Sequence, residues 1–184
     1  MSLAEYSLIF ITILVGFIVT VAMTGWGKLI KYFDRKKFSV LYLSWSVSLF
    51  FYLLFIWLWA FKGFKNNLDY LNSTSSLFYI IIRLLILYFA IEILTPDGNN
   101  DFKNHFITIS RKFYVLLIIL WSYELLLYPL TGHFELSPRI LLYFINLPVA
   151  ILLFFLKHNR IQIALSIIVL IVLIFANLFV VSII

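Results

Sequence analysis

The sequence predicts an all-α membrane protein, a bundle of six transmembrane helices with short loops, and composition is the first reason. Hydrophobic residues make up 64% of the 184 residues and charged residues only 12%, whereas a soluble domain carries about 25% charged residues. A soluble domain of this size cannot bury so much apolar surface, because its surface is too large relative to its volume. With a mean hydropathy of +1.08, we expect lipid to be the solvent for most of the chain.

Six apolar runs supply the predicted helices. A bilayer core of about 30 Å requires about 20 apolar residues of α-helix, and six runs fall within the range that this length allows. The predicted spans are Leu3–Thr24, Phe38–Phe61, Leu77–Leu94, Phe113–Leu130, Arg139–Leu156 and Ile161–Ile184. The stretches between them are too short to form another domain, so we expect one domain over residues 1–184.

The positive charges predict how the bundle is oriented. Most Lys and Arg residues lie in the first, third and fifth loops: Lys28, Lys31, Arg35, Lys36, Lys37, Lys103, Arg111, Lys112, Lys157 and Arg160. The second and fourth loops hold only Lys62, Lys65 and Arg139. Because basic loops stay in the cytoplasm, both termini should lie outside it. The net charge of +6 therefore indicates topology and contact with lipid head groups rather than nucleic-acid binding.

The third loop predicts a cytoplasmic interfacial helix over residues 100–112. A helix-breaking cluster, Thr95–Gly98, is followed by Asn100 and Asp101, either of which can cap a helix. The apolar residues that then share one helical face are Phe102, Phe106, Ile109 and Phe113. This pattern is typical of a helix that lies in the head-group region. Residues 26–36 repeat the pattern more weakly, and the alternative is that both segments are ordinary basic loops.

Four polar residues within the predicted spans form the main candidate site: Arg83, Glu124, Asn146 and Asn177. A lone charge near mid-membrane costs about 2.5–3.5 kcal/mol, so it normally faces the bundle interior and finds a partner. Arg83 and Glu124 have similar predicted depths on consecutive antiparallel helices, which are usually neighbours. We therefore expect them to be in contact, with Asn146 or Asn177 in the same network. The layer is interpreted either as an ion or proton site or as a polar clasp, and the clasp is favoured.

Three further residues are secondary candidates. Glu92 lies near the cytoplasmic end of its helix, where Arg111, Lys112 or Lys157 could neutralise it. Asp101 and His105 are four residues apart, a spacing that suits an ion pair or a cap. A pH-sensing or metal role for His105 is the alternative.

Two stripes of small or hydroxyl residues predict close helix packing. Thr12, Gly16, Thr20 and Thr24 recur every four residues in the first predicted helix, and Ser44, Ser48 and Tyr52 do so in the second. Small residues on one face let another helix approach closely, which is a main source of helix association in lipid. A water-lined path along the hydroxyl groups is the alternative.

Several motifs resemble a group of uncharacterised six-helix bacterial membrane proteins of about this length. The matching residues are Glu5-Tyr6, Gly16, Thr24-Gly25, Leu29-Ile30, Trp57, Trp59, Pro96-Asp97, Asp101, His105-Phe106 and Arg111-Lys112-Phe113. The resemblance implies the six-helix fold and a bacterial inner membrane. It implies no activity, since none is assigned to the group.

Three functional classes stay open from the sequence. The leading one is a channel or transport-type homo-oligomer, because polar groups converge within the membrane. The second is a non-transporting sensor or assembly subunit. The third is a lipid-modifying enzyme, for which only Asp97, Asp101 and His105 could supply reactive groups. We expect no cofactor, no metal site and no nucleic-acid partner, and membrane lipids and further copies of the chain as partners.

Overall fold

The computed structural model describes residues 3–34, 38–65, 74–96, 101–127, 138–156 and 158–182, and these residues form six α-helices. The helices are α1 (Leu3–Lys31), α2 (Val40–Lys65), α3 (Thr74–Leu94), α4 (Phe102–Leu127), α5 (Pro138–Phe155) and α6 (Asn159–Ser182). All but α5 are long and apolar enough to cross a bilayer, and α5 contributes a shorter apolar stretch, Leu142–Phe155. The predicted all-α bundle of an integral membrane protein is confirmed.

The predicted interfacial helix is wrong as a separate element. Residues 102–112 are helical, but they form the first turns of α4, which runs without interruption to Leu127. The physical reason is that neither Pro nor Gly occurs between Phe102 and Leu127 to break the helix. The predicted face is correct: Phe102 and Phe106 are buried while Lys103 and Arg111 are exposed. In the same way α1 continues to Lys31 instead of ending at Thr24.

The centre of the bundle is α2. It packs against α1, α3 and α4 and most extensively against α6, and the pairs α1–α3, α3–α4, α4–α5 and α5–α6 surround it. Ser44, Ser48 and Tyr52 are all buried along α2. Small serine side chains let neighbouring helix backbones come close, so the second predicted stripe lies in a helix-packing region.

The first predicted stripe makes one hydrogen bond to another helix, from Trp57 Nε1 on α2 to Thr12 Oγ1 at 3.3 Å, and otherwise lies on the outside of the bundle. Thr12, Gly16, Thr20 and Thr24 are all exposed, and α1 instead buries its other face. The buried residues of α1 include Ile11, Val15, Ile18, Ala22 and Leu29. Branched and long apolar side chains fill the bundle interior better than threonines do. The three threonine hydroxyls donate to carbonyl groups one turn earlier in α1, at 2.8–2.9 Å, which satisfies them on a lipid-facing surface.

Polar contacts tie α1 to its neighbours near the α1–α2 and α3–α4 connections. Trp26 Nε1 donates to Ser46 Oγ on α2 at 2.5 Å, and Lys28 Nζ donates to the Pro96 carbonyl just beyond α3 at 3.0 Å. Gly25, which precedes Trp26, is buried. A Cβ atom at Gly25 would lie 2.7 Å from Tyr42 Oη and 3.0 Å from Thr95 Oγ1, so α1 can approach α2 and α3 here only with glycine.

We predict that Gly25→Ala lowers the melting temperature in detergent relative to its matched control, Gly27→Ala. Nothing lies within 4 Å of a Cβ atom at Gly27, so this variant should gain up to about 1 kcal/mol from helix propensity. Overpacking at Gly25 costs about 1–3 kcal/mol, because the Tyr42 ring is buried and cannot move freely. Equal melting temperatures for the two variants would show that α1 does not approach its neighbours so closely.

Candidate functional site

An ion pair between α3 and α4 lies at the centre of the candidate site. Arg83, near the middle of α3, contacts Glu124 in the last turn of α4 through its Nε atom and the carboxylate Oε1. The two residues are only 6% and 0% exposed. The contact that the sequence predicted is therefore present. In an apolar interior a paired charge is far less costly than an isolated one.

Two tyrosines complete the coordination of the carboxylate. Tyr52 Oη on α2 donates to Glu124 Oε1 at 2.7 Å, and Tyr79 Oη on α3 donates to Oε2 at 2.5 Å. Both carboxylate oxygens therefore accept a hydrogen bond. The described contact between the guanidinium group and the carboxylate runs from Nε to Oε1, so the expected pair of parallel bonds is not formed.

Tyr52 contacts both charged groups. Its hydroxyl oxygen accepts a hydrogen bond from Arg83 Nε at 2.9 Å while its proton goes to Glu124. The Arg83 guanidinium also lies over the Tyr52 ring, 5.0 Å from the ring centroid, where the negative face of the ring attracts a cation. Tyr52 therefore connects α2 to the pair through its hydroxyl and its ring.

The α5 side of the site is closed by aromatic rings. Arg83 Nη2 makes a long hydrogen bond of 3.5 Å to Tyr143 Oη. Trp121 on α4 packs its ring against those of Tyr52 and Tyr143, with centroids 4.6 and 6.1 Å apart. One network thus joins α2, α3, α4 and α5, and every member except Tyr79 is at least nine-tenths buried.

The two asparagines are buried, but no direct hydrogen bond joins either to the ion pair within the described residues. Asn177 Nδ2 donates to the Phe51 carbonyl on α2 at 2.9 Å and to the Leu173 carbonyl at 2.8 Å. Because Phe51 precedes Tyr52, Asn177 holds α6 beside the ion-pair region. Asn146 is one helical turn from Tyr143 on the buried face of α5. Tyrosine hydroxyls supply the hydrogen bonds of the pair instead, so the prediction that Asn146 or Asn177 belongs to the same network stays a prediction.

The sequence interpretation missed Tyr52, Tyr79 and Tyr143 as ligands of the pair. Two signals were available: Tyr52 ends the serine stripe of α2, and Tyr79 precedes Arg83 by four residues, which places both on one face of α3. A tyrosine in a transmembrane helix carries a polar group that needs a partner when buried.

Asp101 and His105 have structural roles at the ends of α3 and α4. The Asp101 carboxylate accepts from Asn104 N at 3.0 Å and from Asn104 Nδ2 at 2.7 Å, so it caps α4 as one of the two predicted caps. The His105 ring Nε2 lies 3.0 Å from the Ile93 carbonyl near the end of α3. The ring of His105 therefore bonds to α3 rather than to the Asp101 carboxylate.

Glu92 is exposed on α3. Among the described residues it forms no ion pair with Arg111 or Lys112, and Lys157 lies outside them. Asp97, the third reactive group considered for a lipid-modifying enzyme, also lies outside the described residues. In the part of the chain that the structure describes, no group of three or more His, Asp or Glu side chains could hold a metal ion.

The ion pair should show strong energetic coupling in a double-mutant cycle. Removing one partner of a buried pair costs about 3–5 kcal/mol, whereas replacing both with apolar residues is often neutral. We therefore expect Arg83→Leu and Glu124→Leu each to lower folded yield and melting temperature in detergent more than the double variant does.

The matched control is Glu92→Leu, which removes an exposed charge from the same helix as Arg83 and should change the melting temperature little. Additive losses from the two single variants would mean that the two side chains do not act as a pair.

Comparison with known proteins adds no functional assignment. No protein-family model, no curated protein and no solved structure matches this chain. Function must therefore be argued from the site itself, since a helical bundle as a fold is compatible with many unrelated functions.

Proposed function

We propose that this chain is a non-transporting membrane module, an assembly subunit whose buried polar site holds its helices in register. The observation that carries this proposal is the mutual neutralisation of Arg83 and Glu124 inside a hydrogen-bonded cluster. Both carboxylate oxygens already accept tyrosine hydroxyl groups, and the guanidinium group contacts the carboxylate and two tyrosines. No charge in this cluster is left over to attract an ion.

A transport role would require the pair to open. For Glu124 to release its hold on Arg83, at least one charge would stand alone in a low-dielectric interior, which costs several kcal/mol. The side chains of Tyr52, Trp121 and Tyr143 enclose the pair and are themselves at most 2% exposed. On the side that these three rings cover, water or an ion could reach the carboxylate only after the rings moved.

A transport-type function is the second candidate, because one observation favours it. An ionisable residue within a membrane marks ion or proton pathways in many transporters, and this bundle holds two. The buried Asn146 amide and Asn177 Oδ1 also have no hydrogen-bond partner within the described residues. These buried polar atoms could therefore still bind a polar molecule or an ion.

Flux through purified protein in liposomes separates these two functions. We expect leakage of potassium, chloride and protons to equal that of protein-free liposomes, because the neutralised and buried pair offers no route. Wild-type flux above this level that disappears in the Arg83→Leu/Glu124→Leu double variant would overturn the proposal and establish transport past the pair.

The control for this assay is the Glu92→Leu variant, reconstituted at the same protein-to-lipid ratio. If wild type conducts, this variant should conduct equally, since Glu92 lies on the exposed face of α3, away from the pair. Gramicidin added to a separate sample should release the potassium gradient at once. This release shows that the liposomes were sealed before the addition and that the assay detects flux.

Self-association is a further part of the proposal, with a second copy of this chain as the partner. The α1 stripe of Thr12, Gly16, Thr20 and Thr24 is exposed, apart from one hydrogen bond that Thr12 accepts from Trp57, and nothing lies within 4 Å of a Cβ atom at Gly16. Because every threonine of this stripe satisfies its hydroxyl within α1, two such faces can meet without stranding a polar group.

Particle mass in detergent tests self-association. We expect wild-type particles to exceed the 21.7 kDa of one chain after subtraction of detergent, and Gly16→Leu to shift them to monomers. Ala164→Leu, which enlarges a small exposed residue on α6, should leave the mass unchanged. A wild-type monomer, or an oligomer that survives Gly16→Leu, would remove the α1 stripe as the contact face.

The proposal includes a cellular location and an orientation in the membrane, and both are argued from the sequence. The excess of basic residues in alternate loops supports a multi-pass protein whose termini both lie outside the cytoplasm. The resemblance to uncharacterised six-helix bacterial proteins supports a bacterial inner membrane.

A further inference from the structure

The exposed side of α4 changes its chemistry along the helix. From Val115 onward every exposed residue of α4 that the structure describes is apolar, including Ile119 and Leu126. Because charged side chains are costly in hydrocarbon, the hydrocarbon boundary lies between Lys112 and Val115. On the other side of that boundary the exposed residues are mostly basic or polar: Lys103, Asn104, Ile107, Thr108, Arg111 and Lys112.

The basic residues of this stretch, Lys103, Arg111 and Lys112, form what we call the basic surface of α4. The opposite face of the helix is held by buried aromatic rings. Phe102, for example, is 2% exposed and packs against Tyr42 on α2 with ring centroids 4.8 Å apart. Such packing fixes the rotation of α4 about its axis, so the three cations point away from the bundle.

The charges of this surface are not neutralised within the described residues. None of the three cations forms an ion pair there. Asp101, the acidic residue at the start of α4, is already bonded to Asn104. Lys31, exposed at the end of α1, adds a further positive charge at the same end of the bundle. An anion that approaches from outside the protein is therefore attracted to this surface.

The surroundings of the basic surface identify the anion as the head group of a phospholipid. Arginine and lysine side chains both bind phosphate, arginine through its planar fork and lysine as a point charge. One phospholipid can place its phosphate against these cations and its acyl chains along Val115 and Ile119, farther along α4. Ile107, 63% exposed among the cations, can enter the boundary between head groups and acyl chains. An acidic protein segment would match the charges but not this apolar continuation.

We propose that the basic surface of α4 binds anionic phospholipids in preference to zwitterionic ones. The three cations extend over about 14 Å of helix, at 1.5 Å per residue, and attract a net negative head group more strongly than a neutral one. The proposal does not depend on the proposed function, since an assembly subunit and a transporter could both carry such a surface.

The test is site-specific quenching in vesicles of phosphatidylcholine and phosphatidylglycerol. The chain has no cysteine, so Ile107→Cys provides a single position for a fluorescent label within the basic surface. Two matched preparations contain the same fraction of a nitroxide-labelled lipid, either phosphatidylglycerol or phosphatidylcholine. We expect the phosphatidylglycerol quencher to reduce the fluorescence about twofold more than the phosphatidylcholine quencher.

The matched control position is Leu126, which is 73% exposed at the other end of α4. The last turn of α4 contains no basic residue, so a label on Leu126→Cys should be quenched equally by the two lipids.

Two charge variants in the Ile107→Cys background make the outcome specific. Lys103→Gln/Arg111→Gln/Lys112→Gln should lose the preference, whereas Lys103→Arg/Arg111→Lys/Lys112→Arg keeps the three charges and should retain it. All three positions are exposed, so both variants should keep the melting temperature of Ile107→Cys.

A salt series provides a test that needs no charge variant. In about 1 M salt the Debye length falls to about 3 Å, so the preference at the Ile107→Cys label should disappear. Equal quenching by the two lipids at low salt is the result expected for a surface that serves an acidic protein, and it would overturn the proposal. A preference that survives the glutamine variant or the high salt would overturn it as well.

Discussion

The arrangement of the bundle depends on one constraint: the Arg83 charge, held in an apolar interior, must be neutralised there. The guanidinium group cannot lose its proton under ordinary conditions, so the fold has to bring a carboxylate to it. Glu124 on α4 meets that requirement. Tyr52 and Tyr79 then satisfy the carboxylate oxygens that Arg83 does not fill. Because these bonds are short and directional, they fix the relative heights of α2, α3 and α4.

The remainder of the bundle is held by contacts of a different kind. Lipid chains are as apolar as the helix surfaces, so burial of apolar side chains gives little net gain in the membrane, and close packing and hydrogen bonds have to supply the association. Buried serines on α2, Gly25 on α1 and the Asn177 bond to the Phe51 carbonyl are examples. Near the α3–α4 connection, Lys28 and His105 meet carbonyl groups at the end of α3, which would otherwise lack partners.

A saturated polar cluster and a working transport site make opposite demands. A transport site must exchange its partners as an ion or proton passes, so it keeps some hydrogen-bonding capacity available to water. In the Arg83–Glu124 cluster the two charges neutralise each other and both carboxylate oxygens accept tyrosine hydroxyls, with Trp121 and Tyr143 around them. Polar networks of this kind are costly when partly satisfied and specify a single arrangement when complete, which is the property that the proposed assembly subunit requires.

The sequence by itself determined the solvent, the number of helices and the main ion pair. Apolar runs long enough for a bilayer can be recognised without a structure, and Arg83 and Glu124 could be paired because a charge in lipid has few alternatives. Tertiary structure alone decided which faces pack and which groups complete the pair. The sequence predicted the wrong environment for the α1 stripe, because small residues suit either a helix contact or a lipid-facing surface. Helix α4 was longer than predicted, because its polar first turns still bury Phe102 and Phe106. The tyrosines that bond to the ion pair come from different helices. Whether they come into contact with it depends on how those helices are rotated and shifted relative to one another, which no local sequence pattern encodes.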